Sequence, residues 1–585
     1  MRLTWTSQPP DPTLREEWNS LVFQMERPEV FYTWEWATAV ARAFGGSVTP
    51  WIATGYEGDE LVGVAALTKP SATEVAFLNG ATADYCDFIS LPGRRKEFVA
   101  DVLDALQKVG TRKLVLANLP ADSVTVAAVQ GSKAFKSFFR TGYVCAQVRL
   151  GSEEERRSLA DSLLKKQMFR RKLNALRRIG PVTLQHDLGT GLTTSALDKF
   201  CATHVAHFLA TGRVSNLVSR ERREFLAELT RLLAEQKWFD LMTLHAGSCV
   251  TALNYGFRFQ GSWFWYQPTI VNKFEDLSPG YCLLTKMVED ACRDPETHLV
   301  DLGLGAEGYK ERFANAERTT LHATLSRSST DLWRARGRYN AAEAIKKWPG
   351  LESVARRGQT VVSDIQKRIG ECGWRNTLVS AGRRLQKAVA GTDEVLLFQW
   401  RPGMQDSGQC PSPEPLTWEI LSAAAMRYSD ERETLDYLLR SASRFRSNEK
   451  QGFALLGADG VVVHVAWLSP YDGFFMAELG EMLQAPSQAS VMIFDCWTPL
   501  KLRGRGVYSS MIGQLACRVA GEGKDVWIFS AATNSASVAG ILKAGFELRT
   551  SLSKRKVLWW SRTSRHSRGL AESNQVNAVP NGALR

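Results

Sequence analysis

Apolar positions in the first 150 residues switch between two spacings. Trp34, Ala37, Val40, Ala41 and Phe44 recur at helical intervals and predict a helix over 34–44. Stretches 50–54 and 61–68 read as strands on either side of the turn residues Glu57, Gly58 and Asp59. An amphipathic helix over 98–109 and a strand over 113–117 follow. The same style of layout returns after 150. A long basic helix is stopped by Gly180 and Pro181. A strand at 182–185, helices near 195–209 and 220–236, and strands at 238–245, 249–258 and 262–267 come next. A helix at 279–293 and strands at 298–302 and 321–326 complete the stretch. The pattern predicts two mixed α/β units, 1–150 and 151–330. Residues 331–392 show no strand signal and read as a basic helical connector. Strands resume at 394–400, and a compact α/β unit fills 393–560. The polar remainder, 561–585, is expected to be disordered.

Length and charge refine this division. At roughly 150 residues per domain, a chain of 585 residues holds several cores. The net charge of +12 is concentrated: residues 327–387 carry 14 Lys or Arg against 5 Asp or Glu. A second run, 165–178, has seven basic residues and no acid. Such runs attract nucleic acid, anionic membrane or a nucleotide cofactor, or are solvated helix faces. Ten cysteines are scattered without a CxxC spacing, against a disulfide framework or a structural zinc site and in favour of a reducing compartment. Residues 1–12 lack the apolar core of a signal peptide, and no window approaches 18 apolar residues. The expectation is a soluble, cytoplasmic protein without a metal.

The most specific chemistry lies near the C-terminus. An apolar strand at 491–494 leads through Pro499 into Arg503-Gly504-Arg505-Gly506-Val507-Tyr508-Ser509, and Met511, Ile512, Leu515, Ala516 and Val519 then follow at helical spacing. A strand entering a helix through a Gly/Arg loop is an anion site, because glycines let main-chain N–H groups converge and the helix start adds a favourable dipole. A second strand, 525–530, precedes Asn534-Ser535-Ala536-Ser537 and a short helix ending in Lys543-Ala544-Gly545-Phe546.

These two segments resemble the GNAT acetyltransferases over residues 394–560. The resemblance implies that Arg503, Gly504, Arg505, Gly506, Val507 and Tyr508 hold the diphosphate of acetyl-CoA as co-substrate, and that Asn534 and Ser537 meet its pantetheine arm. Two positions depart from the family: Tyr508 stands where Gly or Ala is usual, and Ile541 where a thiolate-protonating Tyr is common. A thioester is already activated, so the protein needs only to orient it, stabilise an oxyanion and take a proton from the acceptor. Asp495 is the base candidate, with His464 and Glu478 as alternatives on neighbouring strands.

Gly303-Leu304-Gly305-Ala306-Glu307-Gly308 follows the strand at 298–302 and has the GxGxxG spacing of a dinucleotide site. With Asp301 it also suggests an S-adenosylmethionine methyltransferase. No acid ends the next strand (Leu325-Ser326-Arg327), and no further βα units follow, so both nucleotide readings are disfavoured. Ser278-Pro279-Gly280, Asp301, Gly305, Tyr309 and Lys310 instead resemble the CelD-type acetyltransferases of bacterial exopolysaccharide and cellulose synthesis, over residues 20–327. These are tandem GNAT-like units related to the FemAB transferases. The resemblance implies Lys310 at a phosphate or oxyanion and Tyr309 as proton donor, unless both merely fix a corner by packing. His204 and His207 lack accompanying ligands for a metal. Trp263, Trp265 and Tyr266 suit either a sugar platform or a core.

The fold expected is thus α/β, with three GNAT-like units of mixed sheets flanked by helices. The expected activity is acetyl transfer from acetyl-CoA to an amine or hydroxyl of a small molecule or glycan precursor, without DNA as partner. The rivals are a FemAB-like transferase using aminoacyl-tRNA, and a non-catalytic CoA-binding scaffold. The basic connector also suits peripheral contact with a membrane.

Overall fold

The computed structural model describes residues 1–189, 194–305, 307–346, 390–401, 412–447, 450–557 and 560–567. The chain divides into two compact units: Met1–Phe208 with Ser215–Glu352, and Leu209–Val214 with Ser353–Arg585.

In the first unit, apolar spacing and helix burial agree. Helix Gln167–Arg177 turns Phe169, Leu173 and Leu176 inward, four and three residues apart, and leaves its basic residues on the other face. These side chains join Val300, Leu302, Trp263, Met287 and Val288 in one cluster. Burying each contributes roughly 1.5–3 kcal/mol. The expected long basic helix is two, Glu153–Lys165 and Gln167–Arg177, broken at Lys166. Three cations of the run bind main-chain carbonyls: Lys166 that of Arg312, Arg170 that of Leu164 and Lys172 that of Asp276.

Thirteen strands of this unit form a single sheet. From one edge the order is Arg2–Thr6, Pro50–Glu57, Glu60–Ser71, Glu74–Phe77, Lys113–Pro120, Ala316–Ser326, Lys136–Arg149, Leu299–Leu304, Ser262–Ile270, Cys249–Phe259, Phe239–Ala246 and Val182–Asp187. The remaining strand, Ile89–Ser90, pairs with Glu60–Ser71. Only two of these pairings are parallel, Glu74–Phe77 with Lys113–Pro120 and Ser262–Ile270 with Leu299–Leu304. Each is bridged by one helix, Arg95–Lys108 and Pro279–Arg293.

The two halves exchange their last strands. Lys136–Arg149 pairs with Leu299–Leu304, while Ala316–Ser326 pairs with Lys113–Pro120, and the two exchanged strands pair with each other. The stretches expected as separate units, 1–150 and 151–330, therefore share one sheet, with no boundary at 150. A nucleotide-binding doubly wound sheet needs consecutive parallel strands. The strand before Gly303 has one parallel neighbour and one antiparallel neighbour, so the GxGxxG segment sits in another fold.

The second unit repeats the scheme once. Eight of its described strands form one sheet, in the order Glu414–Pro415, Gln451–Leu456, Val462–Pro470, Ser490–Trp497, Asp525–Ala531, Ala390–Trp400, Phe546–Val557 and Trp560–Ser567. The one parallel pair, Ser490–Trp497 with Asp525–Ala531, is bridged by helix Val507–Ala520. Met511, Ile512, Leu515, Ala516 and Val519 face the core, as their spacing predicts. The last strand corrects the expected tail: residues 561–567 pair with Phe546–Val557. Residues 568–585, and 347–389 of the expected connector, lie outside the described residues. Helix Ser329–Lys346 is its described beginning.

Candidate active site

The site grows from a local break in the second unit's sheet. The parallel strands pair as far as Ile493 and Ile528 and then part. Phe494–Thr498 on one side and Ile528–Ala531 on the other line a cleft of about 1010 Å³. A bulge coincides with the parting: Val465 faces Trp497 and Trp467 faces Phe494, so the Ser490–Trp497 strand carries an extra residue. Asp495 sits in that bulge with φ 43°, a left-handed conformation that costs an L-residue roughly 1–2 kcal/mol and that Asp tolerates better than most. Tyr437, stacked on Trp497 at 5.1 Å, donates its hydroxyl to the Asp495 carbonyl at 2.9 Å and pins the distortion.

The Gly/Arg loop closes one end of the cleft. Gly504 (φ 78°) and Gly506 (φ 79°) hold left-handed conformations, and Gly506 starts helix Val507–Ala520. Among the described residues, no atom accepts from the main-chain amides of Gly504 to Ser509; the first bonded amide is Ser510, to Gly506 O at 3.1 Å. A Cβ on either glycine would meet open space. Six consecutive amides without a described acceptor, five of them on residues lining the cleft, stand at the positive end of a helix, an arrangement suited to an anion. Arg503 also lines the cleft, bonding Thr498 O at 3.1 Å and Glu433 at 3.5 Å, whereas Arg505 is exposed outside it.

The two family departures meet at one place. The Tyr508 ring lies against Gly540, where a Cβ would come within 2.6 Å of it, and its hydroxyl shares a 3.1 Å hydrogen bond with Ser537. Burial pushes the Tyr508 phenol up, so it stays protonated. Ile541 is fully buried in the core. Asn534 caps helix Ser535–Lys543 by accepting from Ser537 N at 3.2 Å and also lines the cleft.

The base candidates differ in environment. Asp495 lines the cleft and is ion-paired with Arg444. His464 is completely buried, and burial pushes it down to about 3, which keeps the imidazole neutral. Its Nδ1 lies 2.8 Å from Thr498 Oγ1, and its Nε2 has no hydrogen-bond partner among the described residues. Glu478 lines the cleft from the exposed turn between the short strands Phe475–Met476 and Glu481–Met482, not from a strand of the main sheet.

The corresponding place in the first unit is built differently. Asp301 is buried and accepts from Tyr85 Oη (2.8 Å), Gln147 Nε2 (2.7 Å) and Gly303 N (2.8 Å). Lys310 is buried with Nζ on the carbonyls of Leu304 (3.2 Å) and Gly305 (3.5 Å), and Tyr309 Oη accepts from Trp265 Nε1 at 3.2 Å. Both are thus engaged by protein atoms. Here too the parallel pairing ends, at Phe264 and Asp301, but the space beyond is filled: a Cβ on Gly303 would lie 3.2 Å from Trp265 O and 3.0 Å from Asp84 Oδ2. Helix Pro279–Arg293 begins with an imino acid, and Ser278 O takes the amides of Tyr281 (3.2 Å) and Cys282 (3.4 Å), leaving no open cradle like that at 504–509.

Sequence reading missed a buried charge group around this corner. Burial raises Glu29 to about 7, against the pull of its partner Arg318; burial and the nearby Asp301 raise Asp84 to about 8. Arg318 also covers the Tyr85 ring at 4.4 Å. The only sequence signal was polar residues inside apolar runs, as in Asp84-Tyr85-Cys86-Asp87-Phe88. Trp263 and Trp265 are buried, which makes them core and not platform. His204 bonds Ser215 and His207 faces Asn272. Among the described residues no group of His, Cys, Asp and Glu is arranged to hold a metal, and no helix is long and apolar enough to cross a membrane.

Residues 165–311 match the family model described as acetyltransferase (GNAT) domain. The chain thus contains a segment similar to the GNAT acetyltransferase domain, located in the second half of the first unit. No curated protein matches the chain. Among solved structures, that of FemX is 11% identical, with 57% of this chain and 99% of that one covered at a TM-score of 0.41. The structure of L-PGS from Bacillus licheniformis gives 11% identity, 56% and 94% coverage and a TM-score of 0.39. A tandem GNAT protein from the clavulanic acid biosynthesis pathway, solved without AcCoA, gives 12%, 56%, 100% and 0.35.

Proposed function

We propose that the second unit binds acetyl-CoA and transfers its acetyl group to an amine or hydroxyl. The observation that supports this most is the run of unpartnered amides from Gly504 to Ser509 at the mouth of a helix. A hydrogen bond to a charged group is worth about 1.5–3 kcal/mol, so a diphosphate meeting several of these amides gains enough to hold a large cofactor. Beyond the cradle, the parted strands offer unpaired main-chain groups to an extended, amide-bearing pantetheine arm, which can extend the ladder as a strand would. The thioester then reaches the bulge at Asp495, where main-chain groups taken out of the ladder are suited to an oxyanion.

In this reading the acceptor attacks the thioester carbon, its proton passes to the Asp495 carboxylate, and the C–S bond breaks with the electron pair leaving on sulfur. Arg444 holds the Asp495 side chain at the bulge through their ion pair. The Tyr508 ring narrows the space beyond the cradle, with Gly540 providing the room for it. We assign Tyr309 and Lys310 to the fixing of their corner, and the first unit, where Trp265 and Asp84 fill the space at Gly303, to a role other than holding the acyl donor. Its likeness to CelD-type proteins makes a sugar or envelope-glycan intermediate the acceptor we favour, and the connector the segment we would test for membrane contact.

Calorimetric titration of the full chain with acetyl-CoA tests the assignment. One site per chain is expected in the wild type and none in Gly506→Trp with an unchanged circular dichroism spectrum. Two sites, no site, or a Gly506→Trp protein that binds normally would overturn it.

A further inference from the structure

The cleft has a second arm, on the side of helix Arg432–Ser447, which the diphosphate cradle does not use. Its walls are aromatic, from Tyr437, Phe474, Phe475 and Phe494, and its charges are cationic. The Lys450 ammonium lies 5.0 Å from the Phe494 ring centre and 5.8 Å from that of Phe474. Among the described residues it has no carboxylate or hydrogen-bond partner. Arg444 covers the same Phe494 ring at 5.3 Å and Trp467 at 5.8 Å. One of its nitrogens is engaged by Asp495, and no described atom accepts from the other two. Arg440 stands one helical turn earlier, over Tyr437 at 5.7 Å. The acids lining the cleft are not paired with Lys450: Asp495 is taken by Arg444, Glu433 lies 3.5 Å from Arg503, and Glu478 has no ion pair among the described residues.

A cation left without a counter-ion over two aromatic rings is held there by the rings' quadrupole and by its apolar stem. It is a ready partner for an anion in a partly desolvated setting, where such contacts are strong. We propose that this arm binds an acyl acceptor carrying a carboxylate or phosphate beside an apolar or aromatic portion, with Lys450 and the free edge of Arg444 gripping the anion. The nucleophile of the same molecule then lies towards the Asp495 bulge. This assignment rests on the acyl-transfer reading for its description as an acceptor site, but the anion preference itself does not require turnover.

Equilibrium binding to the full chain tests it, with matched pairs of probes: N-acetylphenylalanine against its amide, and O-phosphotyrosine against tyrosine amide. At low salt the anionic member of at least one pair binds tenfold or more tightly, and the pair that responds distinguishes carboxylate from phosphate. In Lys450→Met, which keeps the apolar stem, the gap falls below threefold, and in Lys450→Glu it reverses; thermal melting shows that both variants are folded. Equal affinities within both pairs, or a gap unaltered in Lys450→Met, overturn the proposal. Anion preference without any acetyl-CoA binding would instead refute the acyl-transfer reading and leave an anion site. Acetyl-CoA binding without anion preference would do the opposite.

Discussion

Gly540 and Tyr508 provide the sharpest test of the site's packing. Gly540 lies inside helix Ser535–Lys543, where Ala would ordinarily stabilise by roughly 0.5–1 kcal/mol. In this protein the added methyl would come within 2.6 Å of Tyr508 Cδ1 and 2.9 Å of Cε1. The ring cannot swing away freely, because its hydroxyl is tied to Ser537 and His464 lies 5.7 Å away on another side. Overpacking of this kind costs about 1–3 kcal/mol, so Gly540→Ala is expected to destabilise by about 0–2 kcal/mol net. With the ring removed only the helix term remains, and the same change made in Tyr508→Ala should stabilise by about 0.5–1 kcal/mol. The sign of one substitution thus reverses with its neighbour, giving a coupling of about 1–3 kcal/mol in a double-mutant cycle. Denaturant unfolding of the four proteins, followed by tryptophan fluorescence and hydrogen exchange in the second unit, measures it. A Gly540→Ala that stabilises equally in both backgrounds would show that the ring is not packed as described.

Other outcomes follow from the charges. Asp84, held near 8, has a folded value above its ordinary 3.8, so ionisation works against folding. Asp84→Asn should gain stability over wild type as pH rises from about 4 to about 8 and show no further gain above that, checked by urea unfolding at pH 5 and pH 8; a difference independent of pH sinks the assignment. Removing one member of the buried Glu29–Arg318 pair leaves an uncompensated charge, so Arg318→Met should cost about 3–5 kcal/mol in the first unit's unfolding transition. If Asp495 takes the acceptor's proton, Asp495→Asn lowers kcat by about 10²–10⁴-fold while acetyl-CoA affinity stays within about threefold of wild type, separating a chemical role from a binding one. A kcat within about threefold of wild type would remove Asp495 from the chemistry.

Much of the fold was legible because its helices and central strands keep a clean apolar period. The Trp34–Ala43, Arg220–Glu235 and Pro279–Arg293 helices lie within a residue or two of their spacing-based positions. Strand Lys136–Arg149 was not legible. Arg140, Thr141 and Gly142 interrupt its apolar run, and its burial comes largely from strands of the other half, which local pattern cannot show. The anion loop at Arg503 to Ser509 could be read because its chemistry is local: glycines, a strand before and a helix after. Lys450, Arg444 and Phe494 could not, since they come from three separate segments and mean something only once the bulge brings them to one cleft. The corner at Asp301 looked like a nucleotide motif because glycine spacing reports a turn and says nothing of what packs against it; there it is Asp84 and Tyr85.

The exchange of strands within the first unit has a bearing on how the chain is made. Ser326 is the partner of Lys113 and Thr320 that of Pro120, so during synthesis the strand Lys113–Pro120 leaves the ribosome with one side unsatisfied and waits for the whole second half to emerge. Pairing between such distant segments is slow, and an open strand edge in the meantime invites association with other nascent chains. A fragment ending near residue 150 should accordingly collect in the insoluble fraction, whereas one ending after the Ser329–Lys346 helix should remain in solution.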